Sequence, residues 1–180
     1  MSLRTEYERL CATPSDIFQH LPTLVGLVHD HNAQHVIELG TRTGVSTVAW
    51  LYGLEQTGGR LTSVDLDAKP PIGDHDAWTF IQGDDTHPGI SGSLEPAEIV
   101  FIDTSHLFTH TLQELNIYRW LVRPGGVLVL HDTELPIPEG HPLNAPRFPV
   151  RRAVEQFVAE TGFAWHNYPE CNGLGVIEVD

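Results

Sequence analysis

Short apolar runs alternate with helical stretches along nearly the whole chain, and this alternation limits the fold more than any other feature. Residues 35–39, 60–64, 78–82, 98–102 and 127–130 each read as a buried strand. Between them, residues 45–54 and 109–121 read as helices, the second with Leu112, Leu115 and Tyr118 on one stripe. Strands separated by helices imply a parallel sheet with right-handed crossovers. Ser15 is a candidate N-cap for an earlier helix carrying Ile17, Leu21, Leu24, Val25 and Val28 on one face, with a kink at Pro22. Residues 150–160 make a last helix. Residues 163–168 and 174–179 read as a closing antiparallel pair around Asn172-Gly173. Residues 1–14 stand outside this pattern as an N-terminal extension. Residues 132–149 hold five prolines (Pro136, Pro138, Pro142, Pro146 and Pro149), a length and composition typical of loops that act as lids. With 180 residues the chain fits one domain, 1–180.

Parallel sheets of this kind bind ligands beyond the carboxyl ends of their strands, where the strand order reverses. The residues to examine therefore follow each strand. Strand one runs into Glu38-Leu-Gly40-Thr41-Arg42-Thr-Gly44-Val-Ser46. A dinucleotide site would need G-x-G-x-x-G, but positions 42 and 45 are Arg and Val, so a pyrophosphate and a nicotinamide dehydrogenase are disfavoured. Glu38, two places before the first glycine, repels phosphate and suits a cofactor with positive charge. Arg42 either pairs with an acid or points outward.

Charge narrows the partners. Ten Lys plus Arg against 24 Asp plus Glu leave a net charge of −14. Such a surface repels nucleic acid and anionic membrane, and favours a small neutral or cationic substrate. No run approaches the ~18 apolar residues of a membrane helix, and no secretory signal is evident. Cys11 and Cys171 form no C-x-x-C and read as reduced thiols, which places the protein in the cytoplasm.

Five blocks in order carry a family resemblance: Val36-Ile-Glu-Leu-Gly40 with Gly44, Val64-Asp65, Ile81-Gln-Gly83-Asp84, Ile99-Val-Phe-Ile-Asp103, and Leu121-Val-Arg-Pro-Gly-Gly-Val-Leu-Val-Leu-His131-Asp132. Together they resemble class I S-adenosylmethionine-dependent methyltransferases over roughly residues 15–179. The resemblance implies an α/β, Rossmann-like, doubly wound sheet of seven mostly parallel strands, with a C-terminal antiparallel pair and helices on both faces. It implies that Glu38, Gly40, Thr41, Gly44 and Ser46 cradle the methionine part of S-adenosylmethionine. Asp65 would accept hydrogen bonds from the ribose hydroxyls, Gly83 and Asp84 would border the adenine, and Asp103 would also touch the cofactor.

Asp103-Thr-Ser-His106 further resembles the Asp-x-x-His segment of the small metal-dependent O-methyltransferases of antibiotic sugars and the cephalosporin hydroxylase-like branch. In that pattern Asp103 is a metal ligand and His106 a general base, a task suited to a side chain that titrates near neutral pH. Asp103, His131 and Asp132 would hold a divalent cation, Mg²⁺ or Mn²⁺. Relatives usually carry two oxygen ligands where this chain has His131-Asp132. Either His131 ligates, tilting preference toward Mn²⁺, Fe²⁺ or Zn²⁺, or it packs outward and only the two aspartates bind. His110, four residues after His106, reads as a surface helix residue.

The implied activity is methyl transfer to a hydroxyl of a small molecule of sugar, polyketide or phenolic type. The alternatives are a metal-dependent hydroxylase or hydrolase built on the Asp/His cluster, and a non-catalytic S-adenosylmethionine-binding protein. A second subunit completing the pocket, as in a homo-oligomer, stays open.

Overall fold

The computed structural model describes residues 2–137 and 146–180, so the middle of the Pro-rich segment, and with it the lid expectation, lies outside the described residues. Elements follow in the order α1 (Leu3–Cys11), α2 (Leu21–Asp30), β1 (His35–Leu39), α3 (Val45–Thr57), β2 (Arg60–Asp65), β3 (Trp78–Gln82), α4 (Pro88–Ser91), β4 (Ala97–Ile102), α5 (Phe108–Tyr118), β5 (Val122–His131), α6 (Pro149–Thr161), β6 (Trp165–Tyr168) and β7 (Leu174–Val179). The strands form one seven-stranded sheet in the order β3-β2-β1-β4-β5-β7-β6. The five strands from β3 to β5 pair in parallel, and β7 runs antiparallel to both β5 and β6. This is the doubly wound, Rossmann-like sheet that the alternation and the resemblance led us to expect.

Two hydrophobic cores, one per sheet face, follow from the period of two along each strand. Val36, Leu61, Ile99, Phe101, Val127 and Val129 turn to the face covered by α2 and α3, where Trp50 packs against Phe101. Ile37, Leu39, Val100, Ile102, Leu128 and Leu130 turn to the face covered by α5 and α6. Central strands buried on both faces explain why their sequences read as unbroken apolar runs.

The structure corrects the expectations for the Ser15 helix, the Pro22 kink and the start of β5. The helix expected from Ser15 is instead a 3₁₀ turn, Phe18–His20, followed by α2. Pro22 lies in the first turn of α2, where its missing N–H would have no partner anyway, so it opens the helix rather than kinking it. The N-terminal extension contains α1, capped by Ser2 and stacked on α3 through Tyr7 and Tyr52, whose ring centroids lie 4.5 Å apart. β5 begins at Val122, not 127. Its pairing with β4 jumps from Ala97–Val122 to Ile99–Val127, so residues 123–126 are accommodated as an irregularity within the strand.

β1 has β2 on one side and β4 on the other, so the chain order reverses between β1 and β4. Gly40 leaves β1 with φ +85°, and a Cβ there would sit 1.9 Å from the Asp103 carbonyl oxygen that leaves β4. Only glycine fits this crossing, and it places the first turn directly beside Asp103.

Candidate active site

Beyond the strand ends lies a cavity of about 330 Å³, whose lining includes Gly40, Asp65, Leu66, Gly83, Asp85 and Asp103. Gly40, Asp65, Gly83 and Asp103 thus meet at one opening. The other expected cofactor residues serve the site from behind. Glu38 is fully buried, and its carboxylate accepts hydrogen bonds from Ser46 (2.7 Å), Thr47 (2.9 Å) and Ser63 (2.6 Å). Burial pushes its pKa up to about 7 against the pull of those hydroxyls. Glu38 and Ser46 therefore brace the start of α3 from below. Gly44, in the left-handed region at φ +84°, backs onto Pro70 and Ile72.

Asp65 organises the turn. One carboxylate oxygen accepts from the Thr41 amide (2.6 Å), the Thr41 hydroxyl (2.9 Å) and the Arg42 amide (3.0 Å). The other accepts from the Asp67 amide (2.9 Å). Burial opposes the charge, but these donors outweigh it and hold Asp65 below the usual carboxylate range. Thr41 is spent on Asp65, so it shapes the turn and does not line the cavity. Asp84 is held in a local turn, accepting from the Thr86 amide and hydroxyl. The next residue, Asp85, is on the cavity lining. Arg42 pairs with Asp16 at 2.6 Å.

The second group converges as the strand order requires. His106 Nε2 lies 2.8 Å from Asp132 and 3.2 Å from Asp103. Asp103 first, then Asp132, raise the His106 pKa to about 9. His131 is buried, with Nε2 3.1 Å from the Asp16 carbonyl and 3.0 Å from the Cys171 carbonyl. Carbonyls only accept, so Nε2 carries the proton and donates. Nδ1 then faces the aspartates, 3.5 Å from Asp103 and 3.3 Å from Asp132. Burial opposes charging of this ring, yet Asp103 and Asp132 overcome it and raise its pKa to about 11. The same histidines hold both aspartates below the usual carboxylate range against burial.

This donor set fits a divalent cation. Asp103, His131 and Asp132 offer ligand atoms within 4.8 Å of one another. His131 Nδ1 and Asp132 Oδ1 are buried without a hydrogen-bond partner among the described residues. Of the two orientations considered for His131, the structure shows the inward one: its Nε2 is anchored and its Nδ1 faces Asp103 and Asp132. His106 and Asp132 both adopt positive φ, +55° and +62°, a costly conformation for non-glycine residues and one that clusters at functional sites.

His110 departs from the expected surface position. It faces Asp85 (3.7 Å) and Glu114 (3.4 Å) on the cavity wall. The signal was present in α5: Thr111, Glu114, Leu115 and Tyr118 form its buried face, and a glutamate on that face demands a partner.

The Methyltransferase domain family matches residues 37–133, more than half of the 180. Rhamnosyl O-methyltransferase of Mycobacterium tuberculosis is 29% identical over 120 residues, covering 60% of this chain and 48% of that protein. The chain spans about half the length of the curated relatives it matches. Among solved structures, the O-methyltransferase from Bacillus cereus in complex with SAH superposes with a TM-score of 0.69 at 20% identity, covering 99% of this chain and 90% of that one. MycE from the mycinamycin biosynthetic pathway, in complex with Mg, SAH and mycinamycin VI, superposes with a TM-score of 0.74 at 19% identity, covering 99% of this chain and 54% of that one. At these identities the two superpositions speak to the fold. The family match, running from β1 to the end of β5, shows that this chain belongs to the methyltransferase-domain family.

Proposed function

We propose that the protein transfers a methyl group from S-adenosylmethionine to a hydroxyl of a small molecule, assisted by a divalent cation and by His106. One observation carries this reading: the Asp103–His106–His131–Asp132 group stands at the same crossing of β1 and β4 as the Gly40–Asp65 turn, with Asp103 common to both. The named relatives, including the rhamnosyl O-methyltransferase and MycE with its Mg, SAH and mycinamycin VI, support the choice of oxygen acceptor and metal.

In this reading Asp65 presents its remaining acceptor capacity to the ribose hydroxyls, while the Gly40 turn and Gly83 border the rest of the cofactor. Methyl transfer is an in-line displacement, so holding donor and acceptor in register supplies much of the acceleration. Asp103, His131 and Asp132 would hold the cation, which would position the acceptor oxygen and lower its pKa. His106 takes the hydroxyl proton. With both aspartates paired to it, His106 keeps its own proton at neutral pH. A cation held by Asp103 and Asp132 would compete with His106 for their charge, which would favour His106 as the proton acceptor.

The test is transfer of labelled methyl from S-adenosylmethionine to a panel of sugar and phenolic hydroxyls, with Mn²⁺ or Mg²⁺ and with EDTA. His106→Ala should lose at least about 100-fold in turnover while keeping its affinity for S-adenosylhomocysteine. Full turnover in that variant would remove His106 from the reaction. Equal loss of cofactor affinity would make it a binding residue instead.

A further inference from the structure

We infer that Asp85, His110 and Glu114 form a second divalent-cation site, separate from the Asp103–His131–Asp132 group and selective for a transition metal such as Zn²⁺ or Mn²⁺. The three offer ligand atoms within 4.8 Å of one another. Two segments converge to make it: Asp85 follows β3, while His110 and Glu114 lie one turn apart on α5. The inference does not depend on the methyltransferase reading.

The first argument is charge. Glu114 is fully buried and Asp85 is 7% exposed, and His110 is the one cationic side chain facing them among the described residues. Ionising both carboxyls beside one protonated imidazole would leave an uncompensated negative charge, which is expensive in a dry interior. Two carboxylates, a neutral imidazole and a divalent cation sum to zero.

The second argument is that both carboxylates have an idle oxygen. Glu114 Oε2 and Asp85 Oδ2 are buried and have no hydrogen-bond partner among the described residues. Unsatisfied buried acceptors at one place point to a missing ligand.

The third argument is spacing. His110 Nε2 stands 3.4 Å from Glu114 Oε1 and 3.7 Å from Asp85 Oδ1, the other oxygens of the two carboxyl groups whose Oε2 and Oδ2 are idle. A charge-assisted hydrogen bond would close to about 2.7–2.9 Å. Ligands about 2.1 Å from a tetrahedral ion are held about 3.4 Å apart, close to what is seen. Outer contacts aim the ligands as they do at known metal centres: the Thr104 hydroxyl donates to Glu114 Oε1 (2.6 Å), and the Tyr118 hydroxyl donates to the Asp85 carbonyl (2.8 Å). The imidazole nitrogen among two carboxylates favours Zn²⁺ or Mn²⁺ over Mg²⁺. Asp85, Thr104 and His110 all line the cavity, so an ion can enter without unfolding.

The experiment counts Zn²⁺ on protein stripped with EDTA, by calorimetry and by competition with a chromophoric chelator. The Asp103→Asn/Asp132→Asn double variant disables the first site and should still bind one Zn²⁺. Adding Glu114→Gln, which keeps the shape, or His110→Ala should weaken that binding at least about 100-fold. In the otherwise unaltered chain either change should remove one bound ion, so the result stands even if the double variant fails to fold. Circular dichroism confirms that each variant is folded. A folded double variant that binds no Zn²⁺, or Zn²⁺ binding untouched by both Glu114→Gln and His110→Ala, overturns the site and leaves a carboxyl pair sharing a proton.

Discussion

Glu38 and Asp65 are both acids at the ends of neighbouring strands, yet their surroundings give them opposite tasks. Glu38 has only hydroxyl donors and no exposure, so burial wins and its pKa rises to about 7. A raised carboxyl favours folding fully below its unfolded value, and that contribution is lost as pH climbs through about 7. Urea midpoints should therefore fall between pH 5 and pH 8, with Glu38 contributing on the order of 3 kcal/mol. Glu38→Gln should flatten that slope; an unchanged slope would mean the carboxylate is ionised throughout. Asp65 has backbone N–H donors, so donation wins over burial and it stays ionised. Asp65→Ala should weaken S-adenosylhomocysteine binding about tenfold or more, the cost of a charge-assisted hydrogen bond. Unchanged calorimetric affinity in a folded variant would remove Asp65 from the cofactor site. Sequence reading found both acids but could not separate them. Which one faces a ligand depends on Ser63, contributed by β2 across the sheet, and on Ser46 and Thr47 in α3. The same limit explains Asp84 and Asp85: adjacent acids are indistinguishable until Thr86 captures the first.

At the scale of elements, the crossing of β1 and β4 governs the site. Gly40→Ala would drive a Cβ to 1.9 Å from the Asp103 carbonyl and impose a left-handed backbone on alanine. A loss of about 3 kcal/mol or more in unfolding free energy is expected, because backbone cannot swing aside as a side chain can. Wild-type stability in Gly40→Ala would show that the two strand ends separate easily. The strands were readable because central parallel strands are apolar throughout. The early start of β5 was not, since Arg123-Pro-Gly-Gly126 has turn chemistry and enters the strand only by being accommodated against β4. α1 was readable and went unread: Leu3, Tyr7, Leu10 and Cys11 repeat at helical spacing behind a Ser2 cap, and all four touch the core beneath α3. His110 was missed for a different reason. Leu112, Leu115 and Tyr118 suggested one buried stripe, but the buried face is rotated to include Thr111 and Glu114, which draws His110 inward.

For the whole molecule, the net charge of −14 sits on a sheet whose cavity is itself acidic, lined by Asp65, Asp67, Asp85 and Asp103. That field attracts cations and a sulfonium, and it repels phosphate. No helix among the described residues is long and apolar enough to cross a membrane. The layered fold could be read from the alternation of strands and helices, because each level of the sequence agrees with it. The site could be read only as a set of strand ends. Which side chains turn inward was decided by partners distant in sequence, such as the Asp16 and Cys171 carbonyls that orient His131. The most direct measurement is calorimetric titration of the wild-type protein with S-adenosylhomocysteine, first in EDTA and then with Mn²⁺. Micromolar binding in both conditions is the expected result, because the Gly40–Asp65 turn is held together by its own hydrogen bonds, without a metal. No heat of binding in either condition would contradict a cofactor site at the end of β1 and leave the aspartate–histidine groups to be explained as metal centres alone.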